Sequence, residues 1–275
     1  MAITATDVIS DEDVRALLEE RTQEMYQFRR AYRDHDATNL DAGTFNFPQA
    51  DDNFRGEMVE IAEESDYPRS GLNYSNITAN YTKDGFEVAV SDEAVSDSAI
   101  DIVMDAMEEM GIAAEKRLDS LAYTGLSNNQ NGTTIGTDTN DLNYAAIVGA
   151  YTQLVEDEYR PAEFEVYVSA DGWGDLATDT QFTQATAQGE ATIRDGTLDS
   201  SLGVPIYITN TGDLGDDEAF MVDTSKFGYE STRWEQEVTN YREEENDQDV
   251  FKIRHRKDFV VMDGPSNVFI QGGVS

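Results

Sequence analysis

The sequence predicts an α+β fold of elongated shape. A polar N-terminal stretch and two long β segments precede one long helical pattern at 97–124, and the final third of the chain alternates between β segments. At 1.5 Å per residue that helix would be roughly 40 Å long, which suits an extended molecule better than a small globule. With 39% hydrophobic and 10% aromatic residues the chain can build a sizeable core, which excludes a disordered acidic polypeptide.

The N-terminal part is predicted to be a helix followed by an extended arm. Ser10 precedes three acidic residues, the pattern of a capped helix start. Apolar residues at helical spacing carry this helix to about Arg33. Residues 34–56 hold Asp, Gly, Asn and Pro48 with little periodicity, which is typical of an extended arm.

Residues 57–91 are predicted to form a β ribbon of two long segments. Tyr67-Pro68-Arg69-Ser70-Gly71 marks a break between them, and Lys83-Asp84-Gly85 predicts a tight turn. The ribbon has few residues to bury in a core, and an isolated two-stranded hairpin is marginal in water. We therefore expect it to lie on another surface, such as a neighbouring subunit.

The strongest helical pattern follows the ribbon. Ser96 or Ser98 can cap its start, and Gly125 can close its end. Apolar residues recur every three to four positions along one face: Ile100, Val103, Met107, Met110, Ala114, Leu118 and Leu121.

The remaining elements are shorter. Residues 126–142 and 178–203 are polar loops, and helices are expected at 142–155 and from Ser169. Strands are predicted at 164–168, 204–208, 219–222, 227–240, 250–262 and 266–271. The basic stretch Lys252–Lys257 alternates with apolar residues, which favours a strand with one wet face over a nucleic-acid site.

Charge is the most unusual property of the composition. The chain has 56 Asp and Glu against 19 Lys and Arg, a net charge of -37, and only five of the cations are Lys. Such a surface repels itself at low ionic strength, whereas at about 1 M salt the Debye length falls to roughly 3 Å. The acidity is spread along the whole chain, which indicates a folded protein built for very high salt.

Several function classes lack their motifs. There is no cysteine, no nucleophile elbow, no phosphate-binding loop, no dinucleotide-binding glycine pattern, no signal-peptide pattern and no membrane-spanning apolar run. His35 and His255 are interpreted as surface or interface residues. The acidic turn Asp213–Glu218 is interpreted as a solvated loop, with a loose cation site as the alternative. No residue is predicted to be catalytic or to hold a metal or cofactor.

Four stretches, in order, resemble segments of the major capsid proteins of tailed double-stranded DNA viruses. Phe86–Ser98 is similar to their junction between ribbon and spine helix, and Leu202–Thr209 to their strand entering the axial domain. Ala219–Glu230 resembles their chain return, and Phe251–Pro265 their last peripheral strands. The resemblance covers roughly residues 55–271.

This resemblance implies a Hong Kong 97 phage-like capsid fold with a defined division of the chain. The expected parts are an N-terminal helix and arm at 1–54, an extended β-ribbon loop at 55–93, the spine helix of the peripheral domain at 94–125, an axial domain at 126–222 and return strands of the peripheral domain at 223–275.

The implied function is structural. The chain is expected to self-assemble into hexamers and pentamers of an icosahedral virus head that encloses double-stranded DNA without specific binding. The expected host is a halophile, of haloarchaeal type, with assembly in its cytoplasm and no membrane contact. Candidate partners besides itself are separate scaffolding, portal and decoration proteins. Only a short helical segment precedes the arm, so scaffolding is expected to be a separate chain.

Two alternatives stay open at this point. An encapsulin-like nanocompartment shell would use residues 10–33 as a helix that grips an enzyme cargo. A halophilic enzyme or binding protein would be monomeric in molar salt. For the capsid, the ribbon should lie across a neighbour, the loop from Thr180 to Ser201 should meet at the capsomer centre, and Lys83 is not expected to form a cross-link. The predicted interface residues are Tyr74, Ile77, Tyr81, Phe86, Trp173, Phe182 and Trp234.

Overall fold

The computed structural model describes residues 26–40, 43–50, 60–61, 74–97, 102–137, 141–179, 203–209 and 213–274. Helices and strands both contribute, as the predicted α+β class requires. The helices are α1 (Asp92–Asp97), α2 (Ile102–Asn128), α3 (Tyr144–Glu156) and α4 (Ala170–Thr178). The strands are β1 (Tyr32–Asp36), β2 (Thr44–Ala50), β3 (Tyr74–Asn80), β4 (Thr82–Ser91), β5 (Thr134–Ile135), β6 (Phe164–Ser169), β7 (Ile206–Thr209), β8 (Glu218–Asp223), β9 (Gly228–Glu243), β10 (Gln248–Val261) and β11 (Asn267–Gln271).

A four-stranded sheet in the order β1-β9-β10-β4 packs on the long helix α2. β10 runs antiparallel to both neighbours, and β1 joins β9 in parallel. Met110 and Ala114 of α2 are buried against Phe251 and Ile253 of β10. The apolar face that the sequence predicted for this helix is therefore the face that covers the sheet.

A five-stranded sheet in the order β5-β11-β8-β6-β7 forms a second layer. α3 and α4 cover one of its faces, where Ile147 and Leu154 are buried with Val166 and Val168. Side chains cap both helices, because Asn143 accepts from the Ala146 N–H and Ser169 from the Gly172 N–H. These elements agree with the predicted positions of the helices and strands.

The two sheets meet through an aromatic cluster, here called the hub. Its members are buried and come from the N-terminal segment, α2 and both sheets: Phe28, Ala31, Tyr32, Ala122, Leu126, Tyr167, Leu214, Phe220, Val222 and Phe227. The Tyr32 ring lies 5.0 Å from the ring of Phe227, and Phe28 lies 5.9 Å from Tyr167. A short N-terminal stretch thus ties the two layers together.

The predicted continuation of the first helix to Arg33 is wrong. Phe28–Ala31 is a 3-10 turn, and Tyr32 begins β1, paired with Gly228. Phe28 and Tyr32 are buried four residues apart, so the spacing fits a helix, but a turn that runs into a strand buries the same two positions. The start of that predicted helix lies outside the described residues. The extended character predicted for 34–56 is confirmed where the structure describes it, by β1 and β2.

The predicted turn at Lys83-Asp84-Gly85 is also wrong, because these residues lie within β4 opposite Arg256, His255 and Arg254. A side chain at Gly85 would place its Cβ 3.1 Å from the Ile253 carbonyl oxygen, so glycine here permits close strand approach. The ribbon is also held by its own chain, since β3 pairs with β2 and β4 with β10. The predicted break at 67–71 lies outside the described residues.

Gly125 does not end the long helix, which continues to Asn128. The Tyr32 hydroxyl donates to the Ala122 carbonyl oxygen at 2.9 Å and crosses the helix above Gly125. A Cβ at position 125 would lie 2.1 Å from that hydroxyl oxygen. The glycine is therefore needed for close approach of a tyrosine, not for a helix cap.

We predict that Gly125→Ala destabilises the fold by about 1–3 kcal/mol through overpacking, measured by chemical denaturation in high salt. The control is Gly174→Ala in α4, where no atom lies within 4 Å of the added Cβ, so helix propensity should stabilise the fold by about 0.5–1 kcal/mol. Combining Gly125→Ala with Tyr32→Phe should recover part of the loss. Strictly additive effects would contradict the proposed clash.

Candidate assembly surfaces

A buried ion cluster fixes the N-terminal segment beside the hub. We call Arg29, Glu115, Glu230 and Lys257 the arm anchor. The Arg29 guanidinium binds both carboxylate oxygens of Glu230, at 2.7 and 3.0 Å, and also contacts Glu115. Lys257 Nζ lies 2.7 Å from the same Glu230 carboxylate, whose side chain is 4% exposed. One acid on β9 thus joins the arm to β10.

The charged state of the anchor follows from its surroundings. Burial alone raises the pKa of Glu230, but Arg29 and Lys257 outweigh it and hold that pKa below its usual value. Removal of Glu230 would leave Lys257 without a carboxylate partner among the described residues and Arg29 with Glu115 alone, in a mostly buried site. Breaking a buried pair in this way costs on the order of 3–5 kcal/mol.

Asp119 of α2 is fully buried at the edge of this cluster. One carboxylate oxygen accepts from the Arg29 backbone N–H at 3.3 Å, and the other has no hydrogen-bond partner among the described residues. Burial raises the pKa of Asp119 from 3.8 to about 7, although the backbone N–H groups of Arg29 and Phe28 oppose the change.

The base of the ribbon sits on its own chain. Phe47 of β2 and Ala79 and Tyr81 of the β3 end are buried with Ala37 and Val260. The Tyr81 hydroxyl lies 2.7 Å from Ser231 Oγ, which is also 2.9 Å from Nδ1 of His35. The His35 ring packs on Phe45 and Phe47, with centroids 4.8 and 4.7 Å apart. This half-buried histidine therefore has a structural role within its own subunit.

The predicted interface residues fall into three groups. Tyr74, Phe86 and Trp234 are 63%, 52% and 43% exposed and have surface to offer a neighbour. Tyr81 is buried, Ile77 is half-buried in the same cluster, and Trp173 packs partly against the core under α3 and α4. Phe182 and the loop from Thr180 to Ser201 lie outside the described residues.

Trp234 lies on the outer face, defined as the side of β9, β10 and β4 that points away from α2. Its indole is flanked by two guanidinium groups, with Arg254 and Arg256 5.9 and 5.5 Å from the ring centroid. Lys83 stands directly opposite Arg256 on β4. Cations therefore cluster on one exposed sheet face of a strongly acidic protein.

The opposite face of β4 carries a cavity of about 270 Å³, lined by Phe86, Ala113, Arg117 and their neighbours. At its base, His255 Nε2 lies 3.9 Å from Asp84 Oδ2, and neither atom has a hydrogen-bond partner among the described residues. Burial is the main cause of the lowered pKa of His255. This histidine is an interior residue of the strand, not the surface or interface residue expected from the sequence.

The acidic turn at 213–218 is held by its own contacts. The Gly215 N–H donates to Glu218 Oε2 at 2.8 Å, and the Asp216 carbonyl accepts from Ser169. Among the described residues no group of three or more acidic or histidine side chains is placed to hold a metal ion. In the same part of the chain no helix is both long and apolar enough to cross a membrane.

The arm anchor was missed by sequence reasoning. Arg29 lies within the stretch predicted as helix, and Lys257 within the basic stretch predicted as a strand with one wet face. Lys257 is in phase with the buried residues Phe251, Ile253 and His255, so regular alternation along β10 places it on the interior face. That alternation is visible in the sequence, and a lysine on the apolar side of a strand was the signal that could have revealed the anchor.

Both the sequence and the fold are similar to those of known proteins. Residues 77–264 match the family model described as phage capsid protein. The fold is similar to a chain of Mycobacterium phage Che8, with 14% identity over 90% of this chain and 91% of that chain and a TM-score of 0.71. No protein of curated function matches the sequence.

Two further structures share the fold. The capsid structure of Cyanophage P-SCSP1u has 9% identity over 92% of this chain and 89% of that chain, with a TM-score of 0.71. The virus-like particle from Pyrococcus furiosus has 9% identity over 94% of this chain and 98% of that chain, with a TM-score of 0.64. At such identities the likeness concerns the fold, and it confirms the expected Hong Kong 97 phage-like architecture.

We predict that Asp119 makes the folded state more stable at acidic pH than at neutral pH. Its raised pKa in the folded state means that its stabilising contribution is fully present below about pH 4 and is lost as the pH rises towards about 7. Asp119→Asn should flatten this part of the pH dependence of the unfolding free energy, measured by denaturation at fixed high salt.

Glu109→Gln, a change at an exposed acid on the same helix, is the control and should leave the slope unchanged. An unchanged slope for Asp119→Asn between about pH 4 and 7 would show that Asp119 titrates normally.

Proposed function

This chain belongs to the phage capsid protein family, which is structural and not enzymatic, and we propose that it builds a virus head adapted to concentrated salt. It is a major capsid protein of an icosahedral shell. Hexamers and pentamers enclose double-stranded DNA, and the host is a halophile of haloarchaeal type. The observation that carries this proposal is the combination of the capsid fold with a net charge of -37.

The proposed capsid subunit consists of a peripheral domain, an axial domain, an N-terminal arm and a ribbon. Residues 94–125 and 223–275 form the peripheral domain, with α2 as spine helix, and 126–222 form the axial domain. Residues 1–54 are the N-terminal helix and arm, and 55–93 the ribbon. One departure is that β11, from the return segment, pairs with β8 and β5 in the axial sheet. The two proposed domains therefore share a strand and should move as one body.

Contacts between subunits use side chains that their own chain leaves exposed. Tyr74 and Phe86 lie on the ribbon strands, and Trp234 lies on β9. Large aromatic residues supply much of the energy of protein interfaces once they are desolvated. Tyr81 and Ile77 hold the ribbon to its own subunit, while Trp173 and Phe182 belong to the axial side of the contact.

Electrostatic repulsion sets the condition for assembly. Subunits of charge -37 stand edge to edge around a polyanionic genome. At about 0.1 M salt the Debye length is roughly 10 Å, long enough for carboxylates on adjacent subunits to repel, whereas at about 1 M it is roughly 3 Å. Screening by salt is therefore what makes close contact between these surfaces possible.

We predict that purified protein forms icosahedral particles in about 1 M salt or more and that these dissociate on dialysis to about 0.1 M. Electron microscopy and analytical ultracentrifugation follow the change, and return to high salt is the control for irreversible unfolding. Shells that remain intact after prolonged low-salt dialysis without divalent cations would contradict the proposal that assembly requires screening by salt.

Particle contents separate the capsid from the nanocompartment alternative, which the family match does not favour. Nuclease-protected double-stranded DNA in particles from infected cells supports the virus head, and an enzyme cargo supports the compartment. The cargo-gripping helix proposed for that alternative at 10–33 is interrupted at its end, where Tyr32 enters a sheet.

We predict that Tyr74→Ser impairs assembly without weakening the subunit. Because the side chain is 63% exposed, the unfolding free energy should change by less than about 0.5 kcal/mol. The concentration needed for particle formation should rise by about tenfold, the effect of losing about 1.4 kcal/mol per contact. Normal assembly of Tyr74→Ser would remove this residue from the proposed interface.

A further inference from the structure

The outer face of the β9–β10–β4 sheet carries two cations that no carboxylate in the described part of the chain neutralises. Lys83 and Arg256 stand directly opposite each other on antiparallel strands. The Arg256 Nε donates to the Tyr81 carbonyl oxygen at 3.0 Å. Within the described part of the chain no carboxylate forms a salt bridge with Lys83 or Arg256, although acids outnumber cations almost threefold.

Their neighbours on this face are paired. Lys252 lies 2.8 Å from Glu87, and Arg254 lies 2.8 Å from Glu237. These two pairs cancel locally, so the uncompensated charge of the face comes from Lys83 and Arg256. Like charges directly opposite on neighbouring strands destabilise a sheet. The juxtaposition of Lys83 and Arg256 is therefore unfavourable in the isolated subunit and is suited to neutralisation by an external anion.

The same hairpin carries a matching acidic end. The turn between β9 and β10 has four carboxylates in the five residues Glu243–Asp247. Glu244 and Glu245 are both exposed, and neither has a hydrogen bond or ion pair among the described residues. One end of the hairpin thus carries two adjacent exposed acids. Its sheet carries two adjacent cations that have no carboxylate partner in the described part of the chain.

These groups cannot meet within one subunit. Arg256 is eight residues from Gln248, the first residue of β10. At about 3.3 Å per residue this separation is roughly 26 Å along the strand, far beyond the reach of a glutamate side chain. A contact between them requires two copies of the chain.

We propose that the acidic turn of one subunit, through Glu244 and Glu245, docks on Lys83 and Arg256 of a neighbouring copy. This contact rests on the proposed shell and names one of its subunit interfaces. Exposed Trp234 lies beside the cations and excludes water from the pairs, which strengthens them. Retention of DNA by this face is the alternative that the test below distinguishes.

The test compares charge reversals in the full-length protein at the lowest salt at which the wild type assembles. Lys83→Glu should raise the threshold concentration for particle formation by at least about tenfold, because like charges would then face each other. The matched control is Lys116→Glu, which makes the same charge change at an exposed position of α2 and should have a much smaller effect.

Charge reversal on the acidic turn gives a second test, for which general repulsion and the proposed contact predict opposite results. Glu244→Lys with Glu245→Lys lowers the net negative charge, so general repulsion alone predicts easier assembly. The proposed contact predicts harder assembly for this pair, and partial recovery when it is combined with Lys83→Glu. Thermal unfolding of each variant in high salt checks that the subunit itself is intact.

Three results would overturn the contact. Lys83→Glu and Lys116→Glu could have equal effects, the Glu244/Glu245 variant could assemble more easily than the wild type, or Lys83→Glu particles could form normally but retain less DNA. If the wild type forms no particle at any salt concentration, the proposed shell fails and the contact fails with it.

Discussion

Close approach of Tyr32 to the long helix is the constraint on which the rest of the structure depends. The hydroxyl of Tyr32 reaches the Ala122 carbonyl because Gly125 leaves room for it. That contact places Phe28 and Tyr32 between the helix and both sheets and brings Arg29 within reach of Glu230. The arm, the helix and the two sheets are thereby held as one body, and the exposed ribbon and hairpin extend from it.

The distribution of the few cations follows from this framework. Arg29 and Lys257 are used inside the arm anchor, where they stabilise the ionised form of a buried acid. Lys83 and Arg256 instead remain on an exposed face. In a protein of charge -37 each cation is a local exception, and those of the arm anchor join separate parts of the chain. Salt screens the general repulsion between exposed charges but weakens buried or partly buried pairs, such as those of the arm anchor, much less.

Sequence reasoning succeeded where periodicity and order were enough. The long helix, the two capped short helices and the strands after 160 lie close to their predicted positions. It failed at glycines, since Gly85 and Gly125 were interpreted as a turn and a helix end. Both are places where another part of the chain comes too close for a side chain. It also predicted an exposed Tyr81, because alternation along a ribbon does not say which side its own chain will cover.

The sequence by itself determined the α+β class, the order of elements, the capsid resemblance and the acidity, since these depend on local pattern and composition. Only the tertiary structure decided that β1 of the N-terminal part joins the main sheet, that Glu230 joins Arg29 to Lys257 and that Lys83 faces Arg256. Those pairings join residues up to 201 positions apart. They depend on strand register and on two register shifts between β9 and β10, and register is set by the packing of the whole chain.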